Sequence, residues 1–273
     1  MWYWSTCNNK LEHSVTTAFL ITLLAGLSTG IGSAISLLAK RTNTKFLCVS
    51  LGFSAGVMLY VSFMELLPQG LEELVGQWGR KEGTLYMLVS FFAGIALIAS
   101  IDFLVPRNAN PHEVQAVEEM QKKVKLKRVG AVVALSIAIH NFPEGIATFA
   151  SALNSLEVAI PIAFAIAIHN IPEGIAVAVP IYHSTGSKQK AFWYSFGSGL
   201  SEPIGALMAY LFLMPYWSDT INGIVLAAVA GIMVFISLDE LLPTAEKFGE
   251  HHIAIWGMIA GMLVMAVSLF IFI

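Results

Sequence analysis

The stretch IAIHNFPEGIATFA, from Ile137 to Ala150, recurs almost unchanged as IAIHNIPEGIAVAV, from Ile166 to Val179. The two copies start 29 residues apart. Each lies within an apolar run of roughly the 20 residues that one membrane-spanning helix needs. A repeat at a fixed offset is a more specific signal than a shared composition. We call these two stretches the central pair and predict that the rest of the fold is arranged around them.

The chain as a whole has the composition of a membrane protein. Of its 273 residues, 56% are hydrophobic and only 12% are charged, whereas soluble domains carry roughly 25% charged residues. The mean hydropathy is +0.73. Polar breaks divide the chain into eight apolar stretches, at about 15–39, 46–68, 84–105, 129–153, 158–182, 190–214, 220–243 and 253–273. We therefore predict an all-α polytopic membrane protein with eight transmembrane helices.

The distribution of positive charge predicts the orientation of these helices. Twelve of the fifteen lysines and arginines fall on alternate segments, which include the charged stretch at about 106–128. Because positive residues are retained in the cytoplasm, this stretch is predicted to be a cytoplasmic loop, and both termini are predicted to be extracytoplasmic. The domain organisation predicted is an extracytoplasmic segment, 1–14, followed by a single transmembrane domain, 15–273.

Two further duplications relate the helices on either side of the central pair. The stretch FSAGVMLYVSFMELLP, from Phe53 to Pro68, matches AVAGIMVFISLDELLP, from Ala228 to Pro243, at an offset of 175 residues. A weaker match relates AGLSTGIG, from Ala25, to SGLSEPIG, from Ser198. Each match relates two predicted helices that are five helices apart in the chain. Because successive helices cross the membrane in opposite directions, an odd separation means that the two copies are predicted to be inverted relative to each other. A 3+2+3 arrangement of inverted repeats is typical of transporters, with the substrate site at the repeat interface.

The central pair supplies the chemistry expected at such an interface. Residues four apart share a helix face, so each helix presents an imidazole and a carboxylate together, with an adjacent amide: His140, Asn141 and Glu144, then His169, Asn170 and Glu173. A charge at the bilayer centre costs about 2.5–3.5 kcal/mol on insertion scales, and facing carboxylates repel unless a proton or cation lies between them. A divalent metal would relieve both costs. The alternative is that these groups only hydrogen-bond to hold the bundle together.

Polar residues outside the central pair are weaker candidates. Glu202 lies well inside its span and matches the uncharged Thr29, and this break of the repeat favours a functional role. Met58 is either a packing residue or a weak thioether ligand. For the other acidic residues, interfacial exposure and function both stay open: Glu65, Asp102, Asp239 and Glu240. For the histidines in or near loops, solvation and metal capture both stay open: His112, His183, His251 and His252.

The two HNxPEG motifs, the SGLSEPIG segment and the eight-helix plan with an extended loop after the third helix resemble the ZIP (zinc/iron permease) family of divalent-metal transporters. The resemblance covers the chain from about Phe19 to its end. It implies a carrier in the bacterial inner or plasma membrane that imports zinc, and also iron, manganese, cobalt or cadmium, through a two-metal centre. The metal ions are cargo, and no cofactor is expected.

Carried over residue by residue, the resemblance implies two metal positions. The first would be lined by His140, Glu144, His169, Glu173 and, through the match of the second helix, Met58. The second would be completed by Asn141, Asn170 and Glu202, with Glu144 and Glu173 shared. The chain departs from many family members in its loop at about 106–128, which holds only His112 instead of a histidine-rich tract.

A membrane metalloenzyme that uses the same His/Glu centre is the alternative reading. The spacing of the motif residues argues against an enzyme, because no HExxH is present and each copy of the central pair has His-x3-Glu instead of the Glu-x-x-His of di-iron bundles. A metal-sensing receptor is a third hypothesis, and against it the sequence shows no sizeable cytoplasmic output domain. We therefore predict that the chain is not an enzyme. Its expected partners are divalent metal ions and the lipid bilayer, with no nucleic acid, and a homodimer is left open.

Overall fold

The computed structural model describes residues 2–38, 44–104, 126–154 and 156–272. All regular elements in these ranges are helical: α1 (Trp2–Leu38), α2 (Thr44–Val61), α3 (Leu67–Leu104), α4 (Leu126–Asn154), α5 (Leu156–Thr185), α6 (Lys188–Gly199), α7 (Ser201–Met208), α8 (Asp219–Ile236), α9 (Leu242–Phe248) and α10 (His251–Phe272). The predicted loop with His112 lies almost wholly outside the described residues. The side chains of His140 and His183 are also outside the described set.

Six stretches of the described chain are long and apolar enough to cross a membrane: Val15–Ile35, Lys45–Phe103, Ala159–Val179, Lys188–Tyr216, Asp219–Lys247 and His251–Ile271. The second of them has 59 residues, more than twice the length of one crossing. It is interrupted at Gly79, whose positive φ of 77° breaks α3. α4 adds a helix of 29 residues. The molecule is therefore a nearly all-helical polytopic membrane protein, as predicted.

The helices extend beyond the predicted membrane spans. α1 begins at Trp2, so residues 2–14 of the predicted N-terminal segment continue the first membrane helix. The span predicted at about 190–214 is divided between α6, α7 and a π-helical segment. Hydropathy locates the part of a helix that lies in lipid, but backbone hydrogen bonds can carry the helix on into water. Helix ends therefore need not coincide with the ends of the apolar runs.

Within the described ranges, three short π-helical segments widen the helices next to prolines: Ser62–Leu66, Ala209–Leu213 and Ser237–Leu241. Each segment ends two residues before a proline, namely Pro68, Pro215 and Pro243. A proline lacks an N–H and its ring collides with the carbonyl one turn back, so a wider turn relieves the local conflict. The first and third segments occupy matching positions of the 175-residue repeat. Equal sequence has therefore produced equal local structure.

Equivalent glycines in the repeats make equivalent helix contacts. Gly56 of α2 lies so close to α10 that an added Cβ would overlap the Met258 carbonyl. Gly231 of α8, its repeat equivalent, has the same relation to the Phe91 carbonyl of α3. Reciprocal contacts are made by Gly261 with Phe53 and by Gly94 with Ala228. Small residues permit such close approach of membrane helices, so α2 packs on α10 in the way that α8 packs on α3.

The central pair is positioned by a second set of glycine contacts. Gly145 of α4 packs directly on the carbonyl of Glu202 in α7, and Gly174 of α5 packs on the carbonyl of Thr29 in α1. In each case an added Cβ would overlap the carbonyl oxygen. The two glycines follow the two glutamates of the central pair by one residue. Close backbone contact therefore occurs beside each of these carboxylates.

Candidate metal centre

Three glutamates of the described chain have no solvent exposure at all. Glu144 lies in α4, Glu173 in α5 and Glu202 in α7, and each is 0% exposed. Burial of a carboxylate is costly unless hydrogen bonds, a proton or a cation compensate it. The partners of these three side chains therefore define what the site can do.

Glu144 is paired with a histidine of the neighbouring helix. Its Oε2 lies 3.2 Å from Nε2 of His169, within hydrogen-bonding distance, and both side chains are fully buried. Its other oxygen, Oε1, has no hydrogen-bond partner among the described residues. The structure thus brings the carboxylate of the first copy together with the imidazole of the second. An imidazole nitrogen and a carboxylate oxygen are both common zinc ligands.

Asn170 joins the central pair to α7. Its Nδ2 donates a hydrogen bond to Glu202 Oε1 at 2.5 Å and another to the Ala25 carbonyl at 3.1 Å. Asn170 Oδ1 and Glu202 Oε2 have no hydrogen-bond partner within the described part of the chain, although both are buried. Buried polar atoms are nearly always satisfied. The two unpaired oxygens are therefore available to a cation.

Glu173 is contacted by a residue that sequence reasoning missed. Oγ of Ser54, in α2, donates a hydrogen bond to Glu173 Oε1 over 3.3 Å, and both side chains are fully buried. The sequence contained a signal for this contact. Ser54 aligns with the apolar Val229 in the 175-residue repeat, a break of the same kind as Glu202 against Thr29.

The remaining predicted ligands are placed less completely. Met58 lies one turn beyond Ser54 in α2 and is fully buried, as is Asn141 in α4. His140 is on α4, but its side chain is outside the described set. Among the described side chains, no three from His, Cys, Asp and Glu converge to hold one metal ion. The arrangement is therefore a set of paired ligand groups on adjacent helices.

The weaker candidates differ from one another in burial and in contacts. Glu65 is half-buried in the first π segment, whereas Glu240 is buried and Asp239 exposed in the matching segment. His251 Nδ1 lies 2.6 Å from Glu246 Oε1 near the start of α10, and both side chains are exposed. For these acidic residues, interfacial exposure and function therefore both stay open, and for the loop histidines so do solvation and metal capture.

The donor set is chemically specific even without further geometry. It combines an imidazole, three carboxylates and amide groups, with no thiolate among the described members. Such a mixture suits zinc and other borderline divalent ions better than soft Cu(I). The buried, unpaired oxygens of three of these side chains are acceptors that fit a cation.

Comparison with known proteins identifies the family. The family model described as ZIP Zinc transporter matches residues 104–269. The chain belongs to the ZIP zinc transporter family. The prediction made from the HNxPEG motifs is thus confirmed, and so is the prediction of a transporter rather than an enzyme, because ZIP proteins are transporters.

The similarity to individual ZIP proteins extends over nearly the whole chain. The zinc transporter ZupT of Clostridium perfringens is 60% identical over 278 residues, covering 96% of this chain and 98% of the relative. ZupT of Streptococcus mutans is 59% identical, covering 96% of this chain and 100% of the relative. ZupT of Nitratidesulfovibrio vulgaris is 53% identical, with 96% and 99% coverage. The similarity therefore includes the helices that carry the described pairs.

Proposed function

We propose that this ZIP protein imports divalent zinc into the cytoplasm through a two-metal centre at the level of the central pair. The observation that carries the proposal is two fully buried carboxylates, Glu144 beside His169 and Glu202 beside Asn170, each with one oxygen that lacks a hydrogen-bond partner among the described residues. Zinc transport is also what the names of the relatives state. A buried carboxylate that binds a transported ion must be free to accept that ion. Its charge is therefore expected to be compensated by the metal itself and not by a fixed lysine or arginine.

The first metal position is proposed to use His140, Glu144, His169, Glu173 and Met58. The register of α2 against α5 supports the inclusion of Met58. Ser54 contacts Glu173, and Met58 lies four residues after Ser54 while His169 lies four residues before Glu173. If α2 and α5 cross the membrane in opposite directions, one helical turn from the first contact brings Met58 level with His169.

The second metal position is proposed to use Asn141, Asn170 and Glu202, with Glu144 and Glu173 shared between the two positions. The hydrogen bond between Asn170 and Glu202 supports this grouping, because it holds an amide and a carboxylate together. When metal binds, the unpaired oxygens Asn170 Oδ1 and Glu202 Oε2 supply ligands without the need to break that bond.

The proposed architecture is an eight-helix 3+2+3 bundle of inverted repeats in the bacterial inner membrane, with both termini extracytoplasmic. The repeated glycine contacts support the relation between its halves: α2 meets α10 as α8 meets α3, and α5 meets α1 as α4 meets α7. Such a relation allows a site at the repeat interface to be reached from either side of the membrane in turn. A homodimer is compatible with this plan.

Iron, manganese, cobalt and cadmium are proposed as further cargo. The donor set has no feature that excludes other borderline divalent ions, and the affinities of the first-row members follow the Irving–Williams order. Magnesium keeps its waters and seldom accepts imidazole, so it should compete poorly, as should calcium.

The proposal is tested by zinc uptake into proteoliposomes that contain the purified protein. We expect uptake without any co-substrate, inhibited by excess Cd(II), Co(II), Fe(II) or Mn(II) and hardly affected by Mg(II) or Ca(II) at the same concentration. Protein-free liposomes and liposomes with the Glu144→Ala/Glu173→Ala variant provide the background. Zinc uptake at background level by the wild-type protein, or competition by magnesium equal to that by cadmium, would contradict the proposed site.

A further inference from the structure

Ser54 is not a member of either proposed metal position, but it contacts the proposed ligand Glu173. Its hydroxyl donates to Glu173 Oε1 over 3.3 Å, in surroundings from which solvent is fully excluded. A hydrogen bond to an ionised carboxylate is stronger than one between neutral groups, and it restricts the orientation of the carboxylate. We propose that Ser54 is a positioning residue of the zinc centre, which holds Glu173 in its metal-binding orientation. This inference rests on the function proposed above.

The hydrogen bond joins two neighbouring helices, each of which also packs on a further helix through a glycine. α2, which carries Ser54, is packed on α10 through Gly56, whereas α5, which carries Glu173, is packed on α1 through Gly174. The bond adds a polar contact to the apolar packing of α2 on α5. The orientation of Glu173 is thereby tied to a helix that supplies no charged ligand to the proposed centre.

The repeat has a residue without a hydroxyl at the position equivalent to Ser54. That residue is Val229 of α8, which is 4% exposed and has a larger, apolar side chain. The contact region of α4 and α8 contains an apolar cavity of about 560 Å³, lined by Pro143, Val229 and Ile232 among others. The two copies of the motif thus have different surroundings: polar where Glu173 meets α2, apolar between α4 and α8.

Ligand orientation and simple packing make different predictions for transport kinetics. If Ser54 orients Glu173, the loss of its hydroxyl weakens zinc binding and raises KM, while the maximal rate per folded molecule stays close to that of the wild type. If Ser54 only fills space, two substituted residues of equal volume have equal effects on KM and Kd, whether or not they carry a hydroxyl. Threonine and valine have nearly the same shape and differ in the hydroxyl, so they separate the two roles.

The experiment measures zinc uptake kinetics in proteoliposomes and equilibrium zinc binding to the detergent-solubilised protein. For Ser54→Ala and Ser54→Val we expect KM and the zinc Kd to rise about tenfold, the size of effect that a hydrogen bond to a charged group produces. Ser54→Thr should return both constants to within about threefold of wild type. Ser237→Ala is the matched control, since its buried hydroxyl donates to the Met233 carbonyl of its own helix over 2.7 Å.

Glu173→Gln, measured in parallel, separates failure of this inference from failure of the proposed function. Unchanged KM and Kd in Ser54→Val would overturn the positioning role, and loss of uptake in Glu173→Gln would at the same time uphold the zinc centre. Equal kinetics for Ser54→Thr and Ser54→Val would likewise overturn it. Absence of zinc uptake by the wild type would remove the proposed function and this inference together.

Discussion

Single-residue differences distinguish the two halves of this duplicated protein. Glu202 and Thr29 occupy matching positions, as do Ser54 and Val229. One member of each pair hydrogen-bonds to a proposed ligand: Glu202 to Asn170, and Ser54 to Glu173. The duplication supplies matched imidazoles and carboxylates. The departures from the duplication decide which carboxylate receives an amide or hydroxyl donor, and they therefore shape the site.

The pairing of Glu144 with His169 leads to a prediction for ligand variants. Glu144→Ala and His169→Ala should each reduce zinc uptake to about a tenth of wild type or less, because each removes a proposed direct ligand. Even the mutation of a residue that only supports a metal ligand typically lowers metal affinity or activity by about 10–100-fold. Uptake is measured with radioactive zinc and normalised to the amount of reconstituted protein. Glu65→Gln, in the half-buried π segment, should be milder. Normal uptake by the double variant Glu144→Ala/His169→Ala would exclude this pair as ligands.

The bond between Asn170 and Glu202 leads to a second prediction. Asn170→Asp would replace an amide donor by a carboxylate directly against Glu202, and two such groups repel unless a proton or cation lies between them. We expect lower thermal stability without metal and a larger stabilisation by added zinc than in the wild type. The harder oxygen ligand should also change the ranking of zinc, iron and manganese in competition assays. An unchanged ranking and an unchanged response to zinc would exclude Asn170 from the centre.

At the level of elements, prolines and glycines shape the helices around the site. Two π segments, Ser62–Leu66 and Ser237–Leu241, recur at matching positions before prolines, with Ser62 and Ser237 each donating to a carbonyl one turn back. Glycines then bring the straight portions into backbone contact. Local winding and close approach together determine which side chains of neighbouring helices meet.

The contact between α4 and α7 provides a test of this close packing. Gly145→Ala places a methyl group against the Glu202 carbonyl, so it should destabilise the protein by about 1–3 kcal/mol, the usual cost of overpacking. Gly197→Ala in α6 is the control, because an added Cβ there has no neighbour within 4 Å. Thermal unfolding in detergent should show a lower midpoint for Gly145→Ala only. Equal midpoints for the two variants would mean that α4 and α7 are not in backbone contact.

At the level of the whole molecule, close glycine contacts join the described helices into two sets around the central pair. α4 and α5 pack on α7 and α1, while α2 and α8 pack on α10 and α3. The buried carboxylates and the amide of Asn170 belong to the first set, and Ser54 comes from the second. A proposed transport centre made in this way depends on how the two sets meet.

Membrane orientation is tested by the two cysteines. Cys7 precedes the first predicted span and is predicted to be extracytoplasmic, whereas Cys48 is fully buried in α2 near the predicted cytoplasmic side. A membrane-impermeant thiol reagent applied to intact cells should therefore modify Cys7 and not Cys48. Cys7→Ser and Cys48→Ser variants assign the labelled site. Labelling that persists in Cys7→Ser and is lost in Cys48→Ser would reverse the orientation.

The sequence alone was sufficient for the class of fold and the family. The apolar runs predicted a helical membrane protein, and the duplicated HNxPEG motif predicted a ZIP transporter; both predictions are confirmed. These features are local: hydropathy depends on residue type, and a repeat is visible in the order of residues. The same reasoning singled out Glu202, because it is a charge inside an apolar span.

Which side chains meet depended on the packing of the helices. The i, i+4 spacing groups His140 with Glu144 and His169 with Glu173, but it contains no information on how one helix is rotated against the next. That rotation follows from distant contacts such as Gly145 on Glu202 and Gly174 on Thr29. Only with these contacts in place does Glu144 meet His169 and Glu173 meet Ser54, because a pairing between helices is a property of their packing and not of either segment.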